Sequence, residues 1–105
     1  MIYLQTTVQL AGPAKVLEFE EVLGGKFSPY LEKLGAKFVG SWFTLVGPQS
    51  EVTDLWCFDN AAHYEEVMQK VMMDPEAIPL MATLSPLIVK ETTKLMYPLP
   101  CSPLK

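Results

Sequence analysis

The sequence contains no arginine, one histidine and two cysteines. Each scarcity removes a class of function. Eight lysines against twelve acids leave a formal net charge of −4. Nucleic-acid binding needs a basic surface, so no nucleic-acid partner is expected. Without a guanidinium there is no bidentate clamp for a carboxylate or phosphate, which favours a neutral or weakly polar ligand over a strongly anionic one. One histidine and two distant cysteines make no ligand cluster, so no metal and no cofactor is expected. "GPAK" lacks the spacing of a phosphate loop, and no Gly-x-Ser-x-Gly elbow is present. No apolar run is long enough to span a membrane, and Met1 leads directly into a strand pattern, so the reading is a cytoplasmic chain without signal peptide or membrane contact. Cys57 lies in a strand pattern and Cys101 in a proline-rich tail; both are read as free thiols of a reducing compartment.

What is present is apolar. Half of the 105 residues are hydrophobic and only 19% are charged. For so short a chain that excess calls for a buried interface or a ligand cavity. Ile2 to Val8 alternates as a strand, with Leu4 and Thr6 on one face. Val16, Phe19, Leu23, Phe27 and Tyr30 recur at helical spacing, interrupted by Gly24-Gly25, where a break or kink is expected, and Gly35 is placed to end the helix. Two strands follow, about Lys37–Val46 and Glu51–Phe58, around "GPQS". Asn60 caps a helix whose stripe is Tyr64, Val67, Met68, Val71 and Met72, ended by Asp74-Pro75. Residues Glu76–Ser85 are ambiguous, and Leu87 to Tyr97 reads as the last strand, with Val89 and Leu95 on one face and Ile88 on the other. Residues 1–97 thus make one α+β domain of order β-α-β-β-α-β, and residues 98–105 an extended proline-rich tail. This ferredoxin-like arrangement is a four-stranded antiparallel sheet with helices on one face. The other face also carries apolar residues, and a second copy of the chain is the simplest cover.

The stretch "GAKFVGSWFTLVGPQSEVTDLWCFDN", with "DPEA" after the later helix, resembles the NIPSNAP family of the dimeric α+β barrel superfamily. The likeness runs from Ile2 to about Tyr97. It departs at Ala77, where the family often has tryptophan, and at Gln5-Thr6, where it commonly has arginine. The resemblance implies a homodimer with facing sheets and a pocket between sheet and helices in each subunit. It implies no settled reaction. Related branches include cofactor-free monooxygenases, cyclases, isomerases and haem-degrading enzymes.

Asp54 interrupts a strand face of Val52, Trp56 and Phe58. With the turn at Gly47–Glu51, Thr44 faces Asp54 and Trp42 faces Trp56, an aromatic cross-strand pair. The functional role of Asp54 is staked on its sharing one face with Trp42, under the helices, because a one-residue slip separates them; Trp42 and Asp54 on opposite faces would discard it. Glu20 falls about 40° from Val16 at roughly 100° per residue, inside the apolar arc. Asp54 and Glu20 are therefore the candidate catalytic proton carriers. Leu4, Thr6, Phe19, Tyr30, Trp42, Trp56, Tyr64, Met68 and Met72 are the candidate ligand contacts. The plainer alternatives are a solvated Glu20, an Asp54 bonded to a nearby hydroxyl or amide, and aromatics and methionines that only fill a core. His63 reads as a solvated residue of a first helical turn. The leading expectation is a homodimeric protein holding a small apolar ligand, aromatic or terpenoid-like, with cofactor-free isomerase, cyclase, lyase or hydratase chemistry. The alternatives are a non-catalytic binding or interaction module and a cofactor-free monooxygenase.

The thiol reading has a direct check. Reductant is expected to leave the melting temperature unchanged; a large drop on reduction would reveal a structural disulfide.

Overall fold

In the computed structural model the described residues, 1–104, form β1 (Ile2–Leu10), α1 (Lys15–Val22), a π turn (Leu23–Phe27), α2 (Ser28–Lys33), β2 (Lys37–Phe43), β3 (Glu51–Phe58), α3 (Ala61–Met73), α4 (Ala77–Leu84) and β4 (Ile88–Met96). The strands lie in the order β2-β3-β1-β4 with all neighbours antiparallel. This is the ferredoxin-like α+β architecture expected from the element order. The ambiguous stretch after Asp74 is α4 and a short 3₁₀ turn, Ser85–Leu87. Beyond β4 the described residues of the tail form no regular element apart from a turn that Ser102 N–H closes on the Leu99 carbonyl. Of the stretch expected to be an extended tail, Lys105 lies outside the described residues. Both cysteines are free, Cys57 buried and Cys101 exposed. Among the described residues no helix is long and apolar enough to cross a membrane.

The interruption expected at Gly24-Gly25 is a π turn that separates α1 from α2 without ending the helical path. The chain widens into the π turn, in which Ser28 N–H donates to the Leu23 carbonyl five residues back. In a regular α-helix a spacing of four residues drifts about 40° round the axis. One wider turn absorbs that drift, so Phe19, Leu23, Phe27 and Leu31 all reach the same cavity. The helix then ends as expected at Gly35, whose φ of +112° is open to glycine. Ala36 N–H reaches the Leu31 carbonyl and Gly35 N–H the Glu32 carbonyl, the paired bonds of a Schellman ending.

The β2–β3 hairpin differs from expectation. β2 stops at Phe43, and residues 44–50 form a wide loop in which Gly47 and Ser50 take positive φ. Thr44 closes it, its N–H donating to the Glu51 carbonyl and its hydroxyl to the Glu51 carboxylate. Leu45 and Val46, expected in the strand, are 89% and 92% exposed. Phe43 pairs with Val52, Trp42 with Thr53 and Ser41 with Asp54; a bulge at Val39 then sets Phe38 opposite Trp56. The shift from the expected register is odd, so Trp42 and Asp54 lie on opposite faces of the sheet and the expected sharing fails; it is Trp42 that turns away, while Asp54 keeps the helix-covered face on which its candidacy depends. Trp42 is 53% exposed, and its indole lies over Gly40. Phe38 takes the place expected for Trp42, with its ring 4.7 Å from that of Trp56. A second bulge, at Val89, brings Ile88 onto the same face as Leu95 although they are an odd number of residues apart.

α3 begins as the sequence indicates, with Asn60 Oδ1 accepting from His63 N–H at 2.8 Å. His63 is only partly solvated. Its Nδ1 accepts from Asp59 N–H at 3.0 Å, and its ring packs edge-on against Phe58. Asp74 ends α3 and ties it to α2: one carboxylate oxygen accepts from Tyr30 OH at 2.7 Å, the other from Glu76 N–H at 2.9 Å. Burial and the Asp74 carboxylate together push the Tyr30 phenol up to about 12, and the Tyr30 hydrogen bond lowers Asp74. Tyr30 is thus a buried fastener and not a cavity contact.

A methyl group at Gly35 would meet His63 Nε2 at 2.9 Å in addition to the strained φ. Gly35→Ala is expected to destabilise the fold by about 1–3 kcal/mol, measured as a lower midpoint in chemical denaturation; an unchanged midpoint would contradict this account of the helix end.

Candidate functional site

Strand register determines the floor of the site. On the helix-covered face, Ser41 of β2, Asp54 of β3, Thr6 of β1 and Thr93 of β4 stand side by side across all four strands. This polar rung is flanked by the apolar rung Phe38–Trp56–Leu4–Leu95 on one side. On the other side run Phe43, Val52 and Val8, closed at β4 by Glu91. Above it the helices arch over a cavity of about 480 Å³.

Asp54 is 4% exposed. Ser41 Oγ donates to its Oδ1 at 2.8 Å. Among the described residues no protein donor reaches the other oxygen, that oxygen is not sealed in dry protein, and Asp54 lines the cavity. Burial raises the carboxyl to about 6; the Ser41 hydrogen bond opposes the rise and the Glu91 carboxylate adds to it. Its protonation therefore changes close to neutral pH.

Of the expected ligand contacts, Leu4, Thr6, Phe19, Trp56, Tyr64 and Met68 line this cavity together with Asp54. Three do not. Trp42 is on the far face for the reason given above. Tyr30 is occupied by Asp74. Met72 is 83% exposed, because α3 turns its Val67 side into the core and only Tyr64, Met68 and Val71 of this helix line the cavity. Glu20 is also displaced: it is exposed and borders a separate groove between α1 and β2, so it shares no cavity with Asp54. The plainer reading holds for Glu20, and Asp54 does bond a nearby hydroxyl while keeping one oxygen for the cavity.

The sequence reading missed Ser41, Glu91 and Thr93. All three depend on which residue stands opposite which, and both outer strands reach that register through a bulge. The alternation of Glu91, Thr93 and Leu95 is visible in the sequence, but the bulge at Val89 disguises which face it belongs to. Among the described residues no cluster of His, Cys, Asp or Glu could hold a metal ion.

Residues 10–103 match the family model NIPSNAP. No curated protein matches the sequence. A NIPSNAP family protein of unknown function from Agrobacterium tumefaciens is 26% identical, with TM-score 0.88 over 100% of this chain and 94% of that one. A NIPSNAP domain protein from Burkholderia xenovorans is 18% identical, with TM-score 0.88 over 98% and 99%. A monooxygenase from Streptomyces coelicolor, in complex with nanaomycin D, is 16% identical with TM-score 0.69 over 96% and 89%, a likeness of fold.

The Asp54 carboxyl ionises near 3.8 ordinarily and at about 6 in the folded chain. As pH rises the unfolded chain loses this proton first, so stability falls between those two values and levels off above them. The group accounts for up to roughly 3 kcal/mol over that window. Denaturation at a series of pH values is expected to show this decline in the wild type and its loss in Asp54→Asn; equal slopes in the two proteins would contradict the assignment.

Proposed function

The chain belongs to the NIPSNAP family, and we propose that its cavity holds a small, largely apolar molecule on which Asp54 moves a proton without a cofactor. The carrying observation is the divided Asp54 carboxylate. One oxygen is fixed by Ser41, and the other is free to face a bound molecule. A carboxyl that titrates near neutrality can both take and return a proton under ordinary conditions, as a general acid–base catalyst requires. A ligand that displaces water from between the apolar walls interacts more strongly with that one group. Isomerisation, cyclisation, dehydration and hydration are the reactions that such an arrangement serves. Thr6 and Thr93 flank the acid on the floor and orient polar substituents of the ligand. Glu20 has no part in this reading.

The protein works as a homodimer in this proposal. The sheet face turned away from the helices carries half-exposed Trp42 beside Thr7, Thr53 and Leu55, and a second copy covers it. A purely adaptor-like role fits less well, since an interaction module has no need of an open cavity with an acid on its floor. A cofactor-free monooxygenase acting on an electron-rich substrate is the second reading. The shared fold with the Streptomyces coelicolor monooxygenase supports it.

Native mass spectrometry of freshly purified protein is expected to give a dimer retaining a small molecule in each subunit; a ligand-free monomer at micromolar concentration would count against both parts of the proposal. Once a substrate is in hand, Asp54→Asn is expected to slow turnover by roughly 100-fold or more with the fold intact. Near-normal turnover per folded molecule would reduce Asp54 to a structural role.

A further inference from the structure

The chemical sign of the cavity narrows its ligand further, on the premise that the cavity is a ligand site. Two carboxylates, Asp54 and Glu91, belong to its lining. No lysine or histidine stands among the described lining residues, and the chain has no arginine. Asp54 is almost wholly buried with one oxygen unclaimed by any described protein donor, and Glu91 is exposed at the β4 side. Five aromatic rings share the lining with them: Phe19, Phe27 and Tyr64 from the helices, and Trp56 and Phe58 from β3. The faces of such rings attract a cation, most strongly where water is excluded. A buried anion with no counter-charge from the protein is costly, and a ligand cation removes that cost.

We propose that the cavity selects an apolar amine: a hydrophobic body enclosed by the aromatic wall, with a protonated nitrogen set against Asp54 and in the field of Glu91. Thr6 and Thr93 offer the nitrogen further hydroxyl acceptors along the same rung. A carboxylate of the same shape would meet two like charges and no base. An alcohol would hydrogen-bond Asp54 but leave the negative charge of the site uncompensated.

Three probes of matched shape test this: 1-naphthylmethylamine, 1-naphthylmethanol and 1-naphthoate, titrated calorimetrically into the dialysed full-length protein at pH 8. The amine is expected to bind at least about tenfold more tightly than the alcohol, and the carboxylate to bind least. Glu91→Gln, a change at an exposed strand position, is expected to narrow the amine's advantage severalfold, and Asp54→Asn to abolish it while the alcohol still binds. If the alcohol binds as well as the amine, or Glu91→Gln leaves the ratio unchanged, the amine assignment fails and the ligand cavity stands. If none of the three binds at millimolar concentration, the ligand-site reading fails with it.

Discussion

A carboxylate on the covered face of a sheet has to be solvated by something, and that constraint organises this molecule. Apolar contact alone cannot surround Asp54, since an ionised group without polar partners is too costly to bury. Ser41 meets half of the demand from the neighbouring strand. The rest is met by open space: the helices stand off from the floor and leave a cavity over the acid. Had α1 and α3 packed directly on β3, the carboxyl would be driven to its neutral form or the strand turned over.

Holding helices away from a sheet in so small a chain requires local devices, and each has a residue-level cause. The widened turn at Leu23–Phe27 keeps one face of a long helical run directed at the cavity where a regular helix would rotate it away. The Tyr30–Asp74 hydrogen bond fastens the far ends of α2 and α3 to each other. The Asn60–His63–Asp59 arrangement holds the start of α3, and the His63 ring fills the space that Gly35 leaves empty. Two of the motifs that carry the family likeness, Gly35-Ala36 and Asp74-Pro75-Glu76, therefore act on the frame, whereas Asp54 and Trp56, which belong to the same likeness, line the cavity.

Elements of strong periodicity were legible from the residues alone. The alternation of β1, the capped stripe of α3 and the terminating Gly35 lead to the correct order of elements and thereby the fold. Asp54 was legible too, because a single acid in a face of Val52, Trp56 and Phe58 is conspicuous. Its neighbours were not. Cross-strand partners depend on where loops close and where bulges fall, and neither follows from alternation. At the hairpin the strands close through Thr44 and Glu51, and the aromatic pair expected of Trp42 and Trp56 does not form. On α1, helical angle placed Glu20 within an apolar arc, but an angle on a helical wheel does not say how far a flexible side chain reaches toward solvent.

The separation of the two tryptophans has an optical consequence. Trp56 is buried in the cavity wall, whereas Trp42 is half-exposed on the opposite face of the sheet. Their indoles sit in surroundings of different polarity and face different neighbours. A single substitution of either leaves one emitter, so the protein contains separate built-in reporters for events inside the cavity and events on its outer sheet.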